Sequence, residues 1–429
     1  MKTMIVVILI CMLLLFLLKV PVYISMALTG CALMVATSGM KWSILTQYLY
    51  TGTNSFTLLA IPLFLLAAKL MNTGGITKKL FAFCMKVVGW LPGGLGHVNI
   101  LSSVIFAGMS GTAVSDAGGL GAIEIKAMNE HGFDNDFSCC VTAASSTMGP
   151  IIPPSIPLVV YATVSGASVG ALFMAGIVPG IVMALLMMVV VTIYAIKRHY
   201  PRTKFPTFHE FGHALKEGFL PLMAPIILLV GIYGGVFTPT ESAAIVVLYS
   251  LFLDVVVYRE LSFKKFIAIL KETVRDSLTI ALIIAGATFF GYVATRAKIP
   301  QMILTSMTSV VSSKVTLLLI INVLLIVGCF LETASAITIV VPLILPLLTA
   351  YNINLTQFGI IMVLNLMIGL LTPPFGLVLF VISKIGHISI GRFSKALVPW
   401  LGALLAALLL VTFIPQLSLW FPTMLGMSV

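Results

Sequence analysis

The chain has 429 residues, of which 60% are hydrophobic and only 9% charged, against about 25% charged residues in an ordinary soluble domain. Its mean hydropathy of +1.17 excludes a soluble globular core and predicts an all-α integral membrane protein with room for about ten spanning helices. The net charge of +11 sits in short stretches between apolar runs, where lysine and arginine hold loops on the cytoplasmic side, so it speaks of orientation and not of nucleic acid.

In chain order, the first apolar run, MIVVILICMLLLFLL, has the length of a signal-peptide core, but no small-residue cleavage site follows in KVPVYISM. It reads as a retained first span. Apolar runs place spanning helices near 4–19, 22–40, 55–71, 137–166, 170–196, 218–236, 240–258, 276–296, 357–383 and 396–417. The basic stretches at 76–86, 197–204, 258–265 and 383–395 all fall on one side of this scheme. Both termini should then face the periplasm across a bacterial inner membrane. Six cysteines, Cys11, Cys31, Cys84, Cys139, Cys140 and Cys329, lie in or beside apolar runs without metal-ligand spacing, and read as small apolar residues.

Two stretches, about 94–130 and 314–350, break near their middles at small or polar residues. Each reads as a re-entrant hairpin, which a bilayer tolerates only if the broken backbone is buried in protein or lines a wet cavity. A shift of 220 residues superposes Gly108 on Gly328, Ser115 on Ser335, Gly149 on Gly369 and Pro153-Pro154 on Pro373-Pro374. The chain is thus a duplication. An odd number of spans separates the copies, which inverts the second relative to the first. Inverted repeats with interrupted helices are characteristic of secondary transporters with a midplane site.

Proline removes a helix hydrogen bond and clashes with the preceding turn, so Pro150, Pro153, Pro154 and Pro157, and Pro373 and Pro374 in the second copy, should unwind their helices. A simple kink is the alternative, but it has to occur twice at matched positions. The freed carbonyls can hold sodium, and half-helix N-termini can offer amides to an anionic substrate. Expected substrate contacts are therefore Ser146, Pro153 and Pro154 at the first break and Thr372, Pro373 and Pro374 at the second. The hairpin tip GMSGTAVSDAGGLG (108–121) supplies Ser110, Thr112, Ser115 and Asp116, oxygens of the hard kind that alkali cations accept. Asp116 is either a charge at a cation site or a cap of the second hairpin helix. The matching tip, FLETASAITIVVP (330–342), offers Glu332, Thr333, Ser335 and Thr338, with Glu332 falling opposite Thr112.

The motif HEFGH at 209–213 fits a zinc-protease pattern, with His209 and His213 as ligands and Glu210 as base. Against it stand Gly212, a setting in a basic cytoplasmic loop, and the lack of a third ligand at a typical distance. No cofactor and no transition metal are expected. A channel is disfavoured, because two closed hairpins suit alternating access better than a continuous pore.

At GMSGTAVSDAGGLGAIEIKAM (108–128), MGPIIPPSIPLVVYA (148–162), GIYGGVFTPTESAAI (231–245) and LLTPPFGLVLFV (370–381), the sequence resembles the large membrane subunit of TRAP transporters, the tripartite ATP-independent periplasmic family. The resemblance implies a sodium-driven elevator importing an organic acid such as a C4-dicarboxylate or sialic acid, with sodium as the coupling ion. It implies two partners, a periplasmic substrate-binding protein and a small four-helix membrane subunit. No four-helix region precedes MKTMIVV, so the small subunit is expected as a separate chain. On this reading 1–92 and 197–313 form scaffold and arm helices, 93–196 and 314–395 the transport part, and 396–429 a C-terminal helix. Ser110 to Asp116 with Gly149 would form one sodium site, and Glu332 to Ser335 with Gly369 and Thr372 the other. GGVFTPTESAA reads as scaffold, with Thr240 capping a helix. The rival reading is a standalone sodium-coupled symporter for divalent anions, working without a binding protein.

Overall fold

A computed structural model describes the chain except for residues 1, 19, 38–40, 73, 312, 328–330, 374–375 and 428. The described residues are helical and contain no strand. In the first half, α1 (Lys2–Leu17), α2 (Val22–Ala36), α3 (Ser43–Thr53), α4 (Ala60–Met71) and α5 (Gly74–Val88) lead to a hairpin of α6 (Gly94–Ser110), α7 (Ala113–Gly118) and α8 (Leu120–Glu130). A broken helix follows, α9 (Asn135–Ser146) and α10 (Ile156–Ser165), and then α11 (Val169–Arg198). The second half runs through α12 (Phe208–Tyr233), α13 (Pro239–Phe252), α14 (Phe263–Arg296) and α15 (Ile299–Thr308) to a hairpin of α16 (Lys314–Val327) and α17 (Thr333–Ala350). The broken helix α18 (Leu355–Leu370) and α19 (Leu377–Ile385) precedes α20 (Ile390–Phe413) and α21 (Gln416–Met424).

Among the described residues, five of these helices, together with α13 continued through a π-helical turn to Val257, are long and apolar enough to cross a membrane, and α3 with the segment Phe56–Met71 forms a pair bent by 53° that counts as a seventh. The expected spans at 137–166 and 357–383 are each two helices, because prolines interrupt them. The span expected at 276–296 begins at Phe263, and that at 218–236 begins at Phe208. Polar helix turns extend both beyond their apolar windows.

The second of those extensions corrects the placing of HEFGH in a loop. Thr207 caps α12 and exchanges hydrogen bonds with Glu210, its hydroxyl accepting from the Glu210 amide at 3.3 Å while the Glu210 carboxylate accepts from the Thr207 amide at 3.0 Å. Lys86 adds an ion pair at 3.5 Å. These bonds hold the Glu210 carboxyl below the usual glutamate range, and they engage the group that a protease would need as its base. A second capping box opens α13, and there the cap is Thr238 rather than the expected Thr240, with Pro239 in the first turn and Glu241 bonding back.

The duplication recurs in the packing. Pairs of elements about 220 residues apart make matching contacts: α4 with α13 and α14 with α2, α6 with α9 and α16 with α18, α9 with α11 and α18 with α20. Most telling are α10 against α17 and α7 against α19, because each broken helix thereby packs on the hairpin of the other copy. Buried polar bonds repeat as well: Ser103 bonds Ser145 at 3.0 Å, and Asn365 donates to Asn322 at 2.8 Å, each tying a hairpin to its own broken helix. In apolar surroundings such side chains have to find one another.

At the end of the molecule that carries the basic stretches, Asp134 accepts from Arg198 at 2.6 Å and from Tyr200 at 2.7 Å, and Arg392 bonds Asp136 at 2.7 Å. The Tyr200 hydroxyl, followed by Arg198, holds the Asp134 carboxyl below the ordinary aspartate range.

Candidate functional site

The two hairpin tips are built alike. Thr112 is extended, and its hydroxyl accepts from the Ser115 amide at 3.3 Å, starting α7. Glu332 is extended too, and its carboxylate accepts from the Ser335 amide at 3.1 Å, starting α17. Cap and capped residue stand 220 positions apart in the two copies. This settles the cap of the first tip as Thr112, while Asp116 lies in the following turn.

Asp116 is buried at 2% exposure. One carboxylate oxygen accepts from Ser110, and the other has no partner among the described residues. A Cβ added to Gly149 would lie 2.7 Å from that second oxygen and 3.3 Å from the Thr112 carbonyl. Glycine at 149 therefore lets the first break approach the tip closely enough for a carboxylate oxygen and a backbone carbonyl to share one small space. The same break meets the tip again at Gly111, which has φ +64° and accepts from the Ile156 amide at 3.3 Å. A Cβ there would lie 2.6 Å from the Pro154 carbonyl. A buried carboxylate with one unpartnered oxygen, beside a hydroxyl and carbonyls, is a set of hard oxygen donors of the kind that hard cations accept.

The tips meet across a cavity of about 780 Å³. Ser110, Thr112 and Ser115 line it from the first hairpin, and Glu332, Thr333 and Ser335 from the second. The structure thus brings six of the expected site residues together, while Asp116 and Gly149 lie behind the first tip. Several others are elsewhere. Ser146 is buried in α9 and donates to the Ala143 carbonyl at 2.8 Å, and Thr372 donates to Ile368 at 2.8 Å. Ser146, Pro153, Pro154, Gly369, Thr372 and Pro373 are not among the lining residues, and Pro374 lies outside the described residues. The first break reaches the cavity through Pro150, Ile156 and Pro157, and the second through Leu370 and Leu377.

The opposite wall was absent from the sequence reading. It consists of Lys69 and Asn72 at the end of α4, with Glu272, Asp276 and Thr279 on α14. A signal existed: Lys69 is the lone charge in its apolar run, and Glu272 and Asp276 stand four apart on one helix face. A second buried acid, Glu124 of α8, at 1% exposure, also went unremarked within GAIEIKAM.

Comparison with known proteins shows the family. The family described as "Tripartite ATP-independent periplasmic transporter, DctM component" matches residues 9–417. The sialic acid TRAP transporter large permease protein SiaM of Vibrio cholerae is 42% identical over 403 residues, covering 94% of each chain. The C4-dicarboxylate TRAP transporter large permease protein DctM of the same organism is 35% identical over 428 residues, covering 95% of this chain and 94% of its own. Among solved structures, the YdaH transporter of Alcanivorax borkumensis shares the fold, with a TM-score of 0.61 over 86% of both chains at 13% identity.

Proposed function

The chain belongs to the DctM-component family of tripartite ATP-independent periplasmic transporters, and from that premise we propose that it is the permease of a sodium-coupled importer of an organic acid. It is a multi-pass membrane protein and a transporter rather than an enzyme. The observation that carries the reading is the meeting of both hairpin tips in one cavity, with an unpartnered buried carboxylate oxygen immediately behind the first.

In this reading, Asp116, Ser110 and the carbonyls around Gly149 hold one sodium ion, and Glu332 with the hydroxyls of Thr333 and Ser335 holds another. Bound sodium cancels the tip charges, so that an acid can then enter the cavity. The hairpins and broken helices form the transport part, and the two copies are inverted across the membrane. The regions 1–92 and 197–313 form the scaffold. The basic stretches face the cytoplasm of a bacterial cell, and both termini face the periplasm. A small membrane subunit in a separate chain and a periplasmic binding protein complete the system. The cargo is an organic acid such as a sialic acid or a C4-dicarboxylate, the acids named for several relatives, or a similar carboxylate.

Uptake into proteoliposomes, with the partner subunit and the binding protein supplied, tests this. An inward sodium gradient should drive accumulation, and a proton gradient alone should not replace it. Undiminished uptake with sodium absent from both sides would remove the coupling, and equal uptake without a binding protein would favour a standalone symporter.

A further inference from the structure

An organic anion in the cavity needs a counter-charge, and the described residues of the hairpin tips provide none: the charged lining group among them is the acid Glu332. Among the described lining residues, Lys69 is the single cation. Its ammonium lies 2.7 Å from Asp276 and 3.3 Å from Glu272. The two contacts differ in strength. The Asp276 bond has the length of a good charge-assisted hydrogen bond, while the Glu272 bond is long and its side chain is 69% exposed.

An ammonium has three donors. One is held by Asp276, one is loosely held by Glu272, and the third has no partner among the described residues. Lys69 itself is only 20% exposed, so its position on the wall is set by packing and by Asp276. A carboxylate entering the cavity can take the spare donor and displace Glu272 into solvent. Joining α4 to α14 does not depend on this pair, because α14 also packs along α2, α3 and α4, burying Phe289, Phe290 and Val293 with Met26 and Leu33 of α2, and an ion pair this open adds little to packing.

We propose that Lys69 recognises the carboxylate of the transported acid, and that Glu272 competes with the substrate for it. The inference rests on the organic-acid reading above and adds to it the residue that reads the charge. It also assigns opposite signs to two neighbouring residues, since removing the lysine weakens substrate binding whereas removing the competitor strengthens it.

The test uses the reconstituted complex and sodium-driven uptake of N-acetylneuraminate and of succinate, measured for wild type, Lys69→Gln, Lys69→Arg and Glu272→Gln. For whichever acid the wild type takes up, Lys69→Gln should raise the half-saturating concentration about tenfold or more, the loss expected for one charge-assisted hydrogen bond. Lys69→Arg should recover part of it, and Glu272→Gln should lower it below wild type. If Lys69 is only a staple, Lys69→Gln and Glu272→Gln will shift stability in the same direction and leave half-saturation unchanged, which overturns the assignment. If the wild type takes up neither acid, the sialic-acid and C4-dicarboxylate cargoes fail, and the assignment that rests on them falls with them.

Discussion

The two hairpin tips share a backbone plan and place their charges differently. Both start a helix with an extended cap residue whose oxygen accepts from the amide three positions on. In the first tip that cap is the neutral Thr112, and the acid, Asp116, is sealed behind it at 2% exposure. In the second tip the cap is itself the acid, Glu332, exposed on the cavity, and the position matching Asp116 is Ala336. Duplication preserved the turn, which backbone hydrogen bonding demands, and left the charge free to move by one turn. The first tip therefore has a sealed carboxylate with one unpartnered oxygen, while the second has a carboxylate that reaches the cavity.

The largest expected effect is at Gly149. An alanine there would press its methyl against the Asp116 carboxylate and the Thr112 carbonyl. Overpacking of this kind costs about 1–3 kcal/mol, so sodium affinity in Gly149→Ala should fall about 5- to 150-fold. The sodium concentration for half-maximal uptake measures it. A normal sodium response would move the first cation site away from the junction of tip and break.

Next comes the charge itself. Asp116→Asn keeps the shape and the Ser110 contact and removes the sealed charge, so half-maximal sodium should rise about tenfold, the size of one charged hydrogen-bonding partner, with thermal stability little changed. Glu332→Gln removes a charge that water already screens, so its shift should be smaller, about two- to threefold. Equal shifts would break the contrast between a sealed carboxylate and one that reaches the cavity.

Much of this arrangement was legible in the sequence, for identifiable reasons. Proline pairs and glycine-rich tips are local signals, and the 220-residue shift tied them together, so the hairpins, the breaks and six cavity residues followed. What failed was whatever depended on distant packing. Thr372 and Ser146 donate to carbonyls of their own turns and do not line the cavity, a placement that the packing of the breaks decides. The wall of Lys69, Glu272 and Asp276 joins helices about 200 positions apart, and no periodicity announces such a meeting. The helical run through HEFGH was missed because its turns are polar, although the Thr207 and Glu210 capping pair was present to be read.

The smallest effect concerns the caps, and it isolates charge from shape. Serine is a good N-cap, so Thr112→Ser should leave stability within a few tenths of a kcal/mol and the sodium response unchanged. Glu332→Ser also keeps an oxygen able to accept from the Ser335 amide, but it deletes the carboxylate. If Glu332 acts on sodium only through its charge, Glu332→Ser and Glu332→Gln should shift the sodium response by the same small amount. Glu332→Ala, which loses the cap as well, should show that shift together with a stability loss of about 1 kcal/mol. Thermal unfolding of the purified protein beside sodium-dependent uptake separates the two quantities. A stability loss in Glu332→Ser as large as that in Glu332→Ala would mean that the longer side chain is needed to reach the amide. The exposed acid of the second tip would then be a structural cap first, and the coupling charge of the pair would rest on Asp116.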